Sequence, residues 1–261
     1  IKEGNSHQEA ELKGVEEFAI ECSILKVAVS EDVQACTDEG IQIFGGMGFS
    51  EDAPMESAWR DARIARIYEG TNEINRMLMV GMLLKRAMKG EINLFEPAMA
   101  VSKELTSVPS FDTVDTSELF AAEKEVLKKL KKVFLMVGGK AAMALQDKIE
   151  DEQEIMMNLA DVMIEIYAAE SAILRTEKLV GIQGEESSKH QIAMAQVYLS
   201  EAVDRINAAA KEAIGSFTKG DEQKVMLMGL KRFTKMDLVD TKTLRRQIAD
   251  YMVEKGKYPF S

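Results

Sequence analysis

An all-α protein in two helical parts is what this sequence predicts, on three observations. Its 261 residues include only 4 prolines and 17 glycines, too little turn punctuation for many short strands. Apolar residues recur at steps of three and four over long stretches instead of alternating. Glycine-containing turns separate most of those stretches, as between antiparallel neighbours in a bundle.

The first helix opens on a capping-box pattern, Ser6 with Glu9 three residues later. Val15, Phe18, Cys22, Leu25, Val29, Val33 and Cys36 then draw one stripe. A single helix from Ser6 to Cys36 follows, with both cysteines as buried structural thiols. Helical periodicity fails between Gly40 and Thr71, where a glycine-rich stretch and an acidic, proline-containing turn (Ser50 to Pro54) intervene. Thr71 is a good N-cap for the next helix, with Glu73 in its first turn and Ile74, Leu78 and Met82 on its buried side. Lys85, Arg86 and Lys89 crowd its end and Gly90 stops it.

Residues 91–117 read as a linker, with Pro97, Pro109 and a Ser/Thr/Asp-rich run into Ser117. Amphipathic segments follow. Glu118 to Glu150 turns Leu127, Leu130, Phe134 and Val137 inward. Glu152 to Val180 carries Ile155, Leu159, Met163, Ile166, Ile173 and Leu174, and Ser187 to Phe217 carries Met194, Val197, Val203 and Ile206. Shorter segments lie near Asp221–Met236 and Thr241–Lys255. The expected divisions are therefore 1–90, a linker at 91–117, and a bundle at 118–261.

Composition excludes several classes of function. Lys and Arg total 33 against 44 for Asp and Glu, a net charge of −11, which is wrong for neutralising nucleic-acid phosphates. No apolar run approaches the roughly 20 residues of a spanning helix. Two cysteines 14 positions apart and two histidines exclude a disulfide framework and a Cys/His zinc site. No metal site is expected, and the cysteine usage fits a reducing, cytoplasmic setting. The opening IKEGNSHQEA has neither the basic start nor the apolar core of a signal peptide. A chain whose first residue is Ile1 is expected to be a piece of something longer.

Four features could carry chemistry. Gly45-Gly46-Met47-Gly48 lets a backbone approach something closely. It lacks the strand and spacing of a dinucleotide fingerprint, so a helix terminator is the preferred local reading. Glu69 sits just outside a helix start beside Ile67 and Tyr68. Most glutamates are merely solvated, but one partly withdrawn from water becomes a better base, and N–H groups at the helix start can polarise a carbonyl. The run Lys128-Lys129-Leu130-Lys131-Lys132 suits an anionic membrane, though a solvated face with lysine stems draped over the core edge is favoured. Met156, Met163, Met194 and Met226 lie on inward faces, as core filler in preference to an adaptable docking groove. His7 and His190 are expected at the surface.

From Gln42 to Arg76 the chain reads IQIFGGMGFSEDAPMESAWRDARIARIYEGTNEINR (from Ile41), which closely resembles the C-terminal signature of the acyl-CoA dehydrogenases. The resemblance joins Q-I-x-G-G-x-G-F, R-D-A-R-I and Y-E-G-T-x-E-I at fixed spacing. It implies that residues 1–90 are the latter part of that family's C-terminal helical domain. Residues 118–261 resemble the additional C-terminal helical bundle of its very-long-chain branch and bacterial relatives, which in some members touches a membrane.

The same resemblance implies FAD, a fatty acyl-CoA substrate and a place in fatty-acid β-oxidation. Glu69 would be the base that removes the α-proton while the β-hydrogen leaves as hydride, giving a trans-2-enoyl-CoA. The thioester carbonyl would be held by a flavin hydroxyl and the Glu69 backbone N–H. Tyr68 and Gly70 would border the thioester. Thr71 and Glu73 would lie by the subunit's own FAD, and Gln42, Gly45 and Gly46 by that of a neighbouring subunit. The family often has glutamine in place of Glu73. A homo-oligomer and an electron-transfer flavoprotein are implied as partners. The chain alone is expected neither to retain FAD nor to turn over. Two alternatives stand beside this: a helical interaction module working through the bundle from residue 118, and an acyl-CoA oxidase, which the Y-E-G-T-N-E-I wording disfavours.

Overall fold

The structure, a computed structural model, describes residues 6–105, 107 and 118–260. Every regular element among these residues is a helix. The chain divides into two compact units, Ile1–Ile92 and Asn93–Ser261.

The first unit opens with α1 (His7–Glu17), whose capping box forms as expected: Ser6 Oγ accepts from the Glu9 N–H at 3.3 Å, and the Glu9 carboxylate accepts from the Ser6 N–H at 2.8 Å. The expected continuous helix is interrupted at Phe18, and α2 (Ala19–Phe44) then runs past Cys36 to the glycine-rich stretch. The predicted stripe is also corrected. α2 buries Ile20, Ser23, Ile24, Val27 and Ser30, whereas Phe18, Cys22, Leu25, Val29, Val33 and Cys36 are exposed. At 100° per residue the two sets lie on opposite sides of the helix. The buried side is the one against which α4 and α5 pack.

The non-helical stretch expected between Gly40 and Thr71 is mostly helical. A single turn, α3 (Gly46–Phe49), precedes α4 (Pro54–Ala65), which starts with proline where the missing N–H costs nothing. α4 folds back along α2. Trp59 Nε1 donates to Asp38 at 3.0 Å, and a β-carbon at Gly40 would stand 2.5 Å from the Met55 sulfur. α5 (Asn72–Met88) buries Asn72, Asn75, Met79, Val80 and Ala87, not the expected Ile74 and Leu78, which are exposed. It ends as predicted, with Lys85 and Arg86 in its last turn and Gly90 at φ 74°.

The second unit begins inside the predicted linker. Residues 95–105 form α6 (Phe95–Leu105), which packs on α7 with Ala98 and Val101 buried. Residues 108–117, including Pro109, lie outside the described set. α7 (Ala121–Leu145) and a 3-10 turn (Gln146–Asp151) lead to α8 (Gln153–Gln183). A second short turn (Glu186–Ser188) precedes α9 (Lys189–Phe217), and α10 (Gly220–Phe233) and α11 (Thr241–Lys255) complete the order. α7 borders α6, α8, α9 and α10, and α9 borders α7, α8, α10 and α11. Leu127, Leu130 and Val137 meet Ile155, Leu159, Ile166, Ile173, Val203 and Ile206 in the buried set, much as their spacing predicted; Leu174 faces outward.

Met156 and Met226 are fully buried, as filler should be, whereas Met163 and Met194 are only half-buried. His7 is exposed, but His190 is stacked on Tyr251 at 3.9 Å between ring centroids. Three of the four lysines of the basic run are paired: Lys128 to Glu125 at 3.3 Å, Lys131 to Glu170 at 2.6 Å and Lys132 to Glu104 at 2.8 Å. Two of these pairs cross to neighbouring helices, which leaves less bare charge for an anionic surface. Among the described residues no helix is long and apolar enough to cross a membrane.

Candidate active site

The turn between α4 and α5 is built from both sides. α4 unwinds through Ile67 and Tyr68, whose N–H groups still reach the Ile64 carbonyl at 2.9 and 3.3 Å. The chain must then reverse in three residues. Glu69 adopts φ 55° and Gly70 φ 79°, two successive left-handed residues. Glycine does this freely, but a residue with a β-carbon pays on the order of 1–3 kcal/mol and stays only where its surroundings fix it. Thr71 returns to extended backbone and caps α5, its Oγ1 accepting from the Ile74 N–H at 3.2 Å.

Polar groups from α2 and α5 fix the turn. Asn75 Nδ2 lies 2.9 Å from the Gly70 carbonyl oxygen, 3.1 Å from that of Thr71 and 3.5 Å from that of Glu69. Lys26 Nζ donates to the Gly70 carbonyl and to Asn72 Oδ1, both at 2.7 Å. Asn72 is 0 % exposed and spends its amide N–H groups on Ser30 Oγ at 3.0 Å and Glu31 Oε1 at 3.2 Å. Arg76 forks onto both Glu31 oxygens at 2.9 Å, and Arg66 stands 3.7 Å away. Burial pushes the Glu31 carboxyl up, but hydrogen bonds and charge from Arg76, with help from Asn72 and Arg66, outweigh it and hold the group below its ordinary value. Glu73 is likewise held low by its own backbone N–H and the Thr71 hydroxyl.

Tyr68, Glu69, Gly70, Thr71 and Glu73 therefore share one surface turn. The burial expected around Glu69 does not come from this chain, which leaves both Glu69 and Tyr68 exposed. Gln42, Gly45 and Gly46 form a second patch, where Gly45 ends α2 at φ 61° and its N–H meets the Gln42 carbonyl at 3.2 Å. Gln42 lies about 16 Å along α2 from Glu31, so these residues are not brought to the Glu69 turn. Around them Ile43 is 81 % and Phe49 78 % exposed, with Phe44 and Met47 also open. Sequence reading missed Lys26, Ser30, Glu31, Asn72, Asn75 and Arg76. The available signal was a pair of asparagines three apart on the helix face that also carries Met79.

Comparison with known proteins points to one family. Two family models described as "Acyl-CoA dehydrogenase, C-terminal domain" match residues 6–84 and 129–232. A probable acyl-CoA dehydrogenase of Bacillus subtilis is 39% identical over 246 residues, 94% of this chain and 41% of that protein. The rat mitochondrial very long-chain specific acyl-CoA dehydrogenase is 27% identical over 240 residues, 85% of this chain and 36% of its own length. A crystal structure of an acyl-CoA dehydrogenase complexed with FAD from Bacillus anthracis superposes with a TM-score of 0.91 at 38% identity, over 98% of this chain and 44% of that one. The chain thus spans less than half of each of these relatives. With both helical units matched and the Glu69 turn in place, this chain belongs to the acyl-CoA dehydrogenase family, of whose C-terminal helical region it is a representative.

Proposed function

We propose that this chain is the C-terminal portion of a longer FAD-dependent dehydrogenase that converts fatty acyl-CoA thioesters to trans-2-enoyl-CoA, with Glu69 as the base. The observation that carries this is the Y-E-G-T turn itself: an exposed carboxylate on a left-handed residue, held by buried polar groups immediately before the start of α5.

Glu69 accepts the α-proton of the thioester, and its backbone N–H supports the negative charge that develops on the carbonyl oxygen. Tyr68 and Gly70 border the thioester. When bound, FAD supplies the acceptor for the hydride that leaves the β-carbon. The chain's residues suit that group: a β-carbon at Gly45 or Gly46 would meet nothing within 4 Å, leaving the backbone open to a flat ring or a phosphate. Gln42, Gly45 and Gly46 would contact the FAD of a second subunit, and Thr71 and Glu73 that of their own, which makes the enzyme a homo-oligomer. An electron-transfer flavoprotein would take the electrons onward. The substrate class is fatty acyl-CoA, and the likeness to the very long-chain relative points toward long chains by analogy alone.

In the full enzyme carrying this chain, mixed with a long-chain acyl-CoA without oxygen, the flavin absorbance should bleach. In Glu69→Gln, with flavin still bound, bleaching should slow by about 10²–10⁴-fold. Undiminished bleaching in that variant overturns the assignment of the base, and rapid peroxide formation in air would make the enzyme an oxidase. The 261-residue chain alone should purify without flavin and without activity.

A further inference from the structure

We propose that Asn75, with Lys26, is the positioning residue of this site: it holds the Glu69–Gly70–Thr71 turn in the left-handed form that aims the Glu69 carboxylate and N–H. The proposal rests on Glu69 being the base. Neither Asn75 nor Lys26 is among the residues expected to touch substrate or cofactor.

Three consecutive carbonyls, those of Glu69, Gly70 and Thr71, turn toward one side-chain amide at 3.5, 2.9 and 3.1 Å. Carbonyl dipoles gathered this way repel one another unless a donor sits among them, and Asn75 supplies two N–H groups there. The fit is close, since a β-carbon on Gly70 would lie 3.0 Å from Asn75 Nδ2. Lys26 adds a positive charge 2.7 Å from the middle carbonyl and comes from 44 residues earlier in the chain, so it ties the turn to α2. Lys26 is anchored in turn by Asn72, which no water reaches, and Asn72 by Ser30 and Glu31. The three peptide units that follow the Glu69 α-carbon are thus fixed to two helices. The donors are what matter: an isosteric carboxylate in place of the amide would face the same carbonyls with like charge.

The test uses the flavin-loaded full enzyme with Asn75→Asp, Asn75→Gln and Lys26→Met, beside Glu69→Gln. The readouts are the bleaching rate at saturating acyl-CoA, the KM, and amide hydrogen exchange across residues 67–71. Asn75→Asp and Lys26→Met should slow bleaching by about 10–100-fold, the scale of a small misplacement of a catalytic group. Their KM should stay within about twofold of wild type, exchange at 67–71 should quicken, and Asn75→Gln should restore part of the rate. A rate within about twofold of wild type in both donor-loss variants, or a loss appearing only in KM, overturns the proposal. If Asn75→Asp fails to fold, Lys26→Met and Asn75→Gln decide it on the same readouts. If Glu69→Gln retains its rate, the base is wrong, while hydrogen exchange still reports whether the clamp holds the turn.

Discussion

A carboxylate gripped by one arginine and approached by a second, as Glu31 is by Arg76 and Arg66, makes the site's support sensitive to acid. Its folded value lies below the ordinary 4.5, so the group contributes stability that is present above that pH and is lost as pH falls through the folded value. Wild type should therefore melt above Glu31→Gln at neutral pH, with the gap closing as the pH drops below 4.5. A gap that stays constant through that window would remove the ion pair from the account. At this scale the sequence was informative where the chemistry is local. Thr71 as cap, Ser6 with Glu9 and the glycine at position 90 each act within four residues of themselves. Lys26 and Gly70 are 44 residues apart, and periodicity has no access to such a pairing.

Helix faces were harder to read than helix existence. α2 is apolar on two opposite sides, and its stripe through Leu25, Val29 and Val33 is as regular as the one through Ile20, Ile24 and Val27. Which side is buried is decided by α4 and α5; α5 was legible from its cap and its basic end, but α4 lies in the stretch from Gly40 to Thr71 where helical periodicity was read as failing. α4 was hidden by its charged surface and by Pro54, read as a turn residue when it is a helix start. α6 was hidden in the same way, Pro97 near its start and the Ser/Thr/Asp-rich run beyond it suggesting a linker. Close helix approach offers a test at this scale. A β-carbon at Gly139 of α7 would stand 2.8 Å from the Ala98 β-carbon of α6, so Gly139→Ala should push the helices apart and cost about 1–3 kcal/mol on denaturant unfolding. An unchanged midpoint would mean that α6 yields without penalty.

Across the whole molecule, the two units carry separate family matches. The same chain also pairs a net charge of −11 with bare apolar side chains: Leu25, Val29 and Val33 on α2, and Ile43, Phe44, Met47 and Phe49 at its end. Taken by itself this is a colloid held apart by like charge and drawn together by greasy patches. Repulsion reaches roughly 30 Å at 0.01 M salt but only about 8 Å at 0.15 M, while hydrophobic contact is untouched by that change. Light scattering on the isolated chain should then report dispersed particles in dilute buffer and growing clusters as salt is added. Clusters that dissolve with salt instead would point to charge, not grease, as the glue. For the chain alone, these bare side chains are a shelf-life problem set by the ionic strength of the bottle.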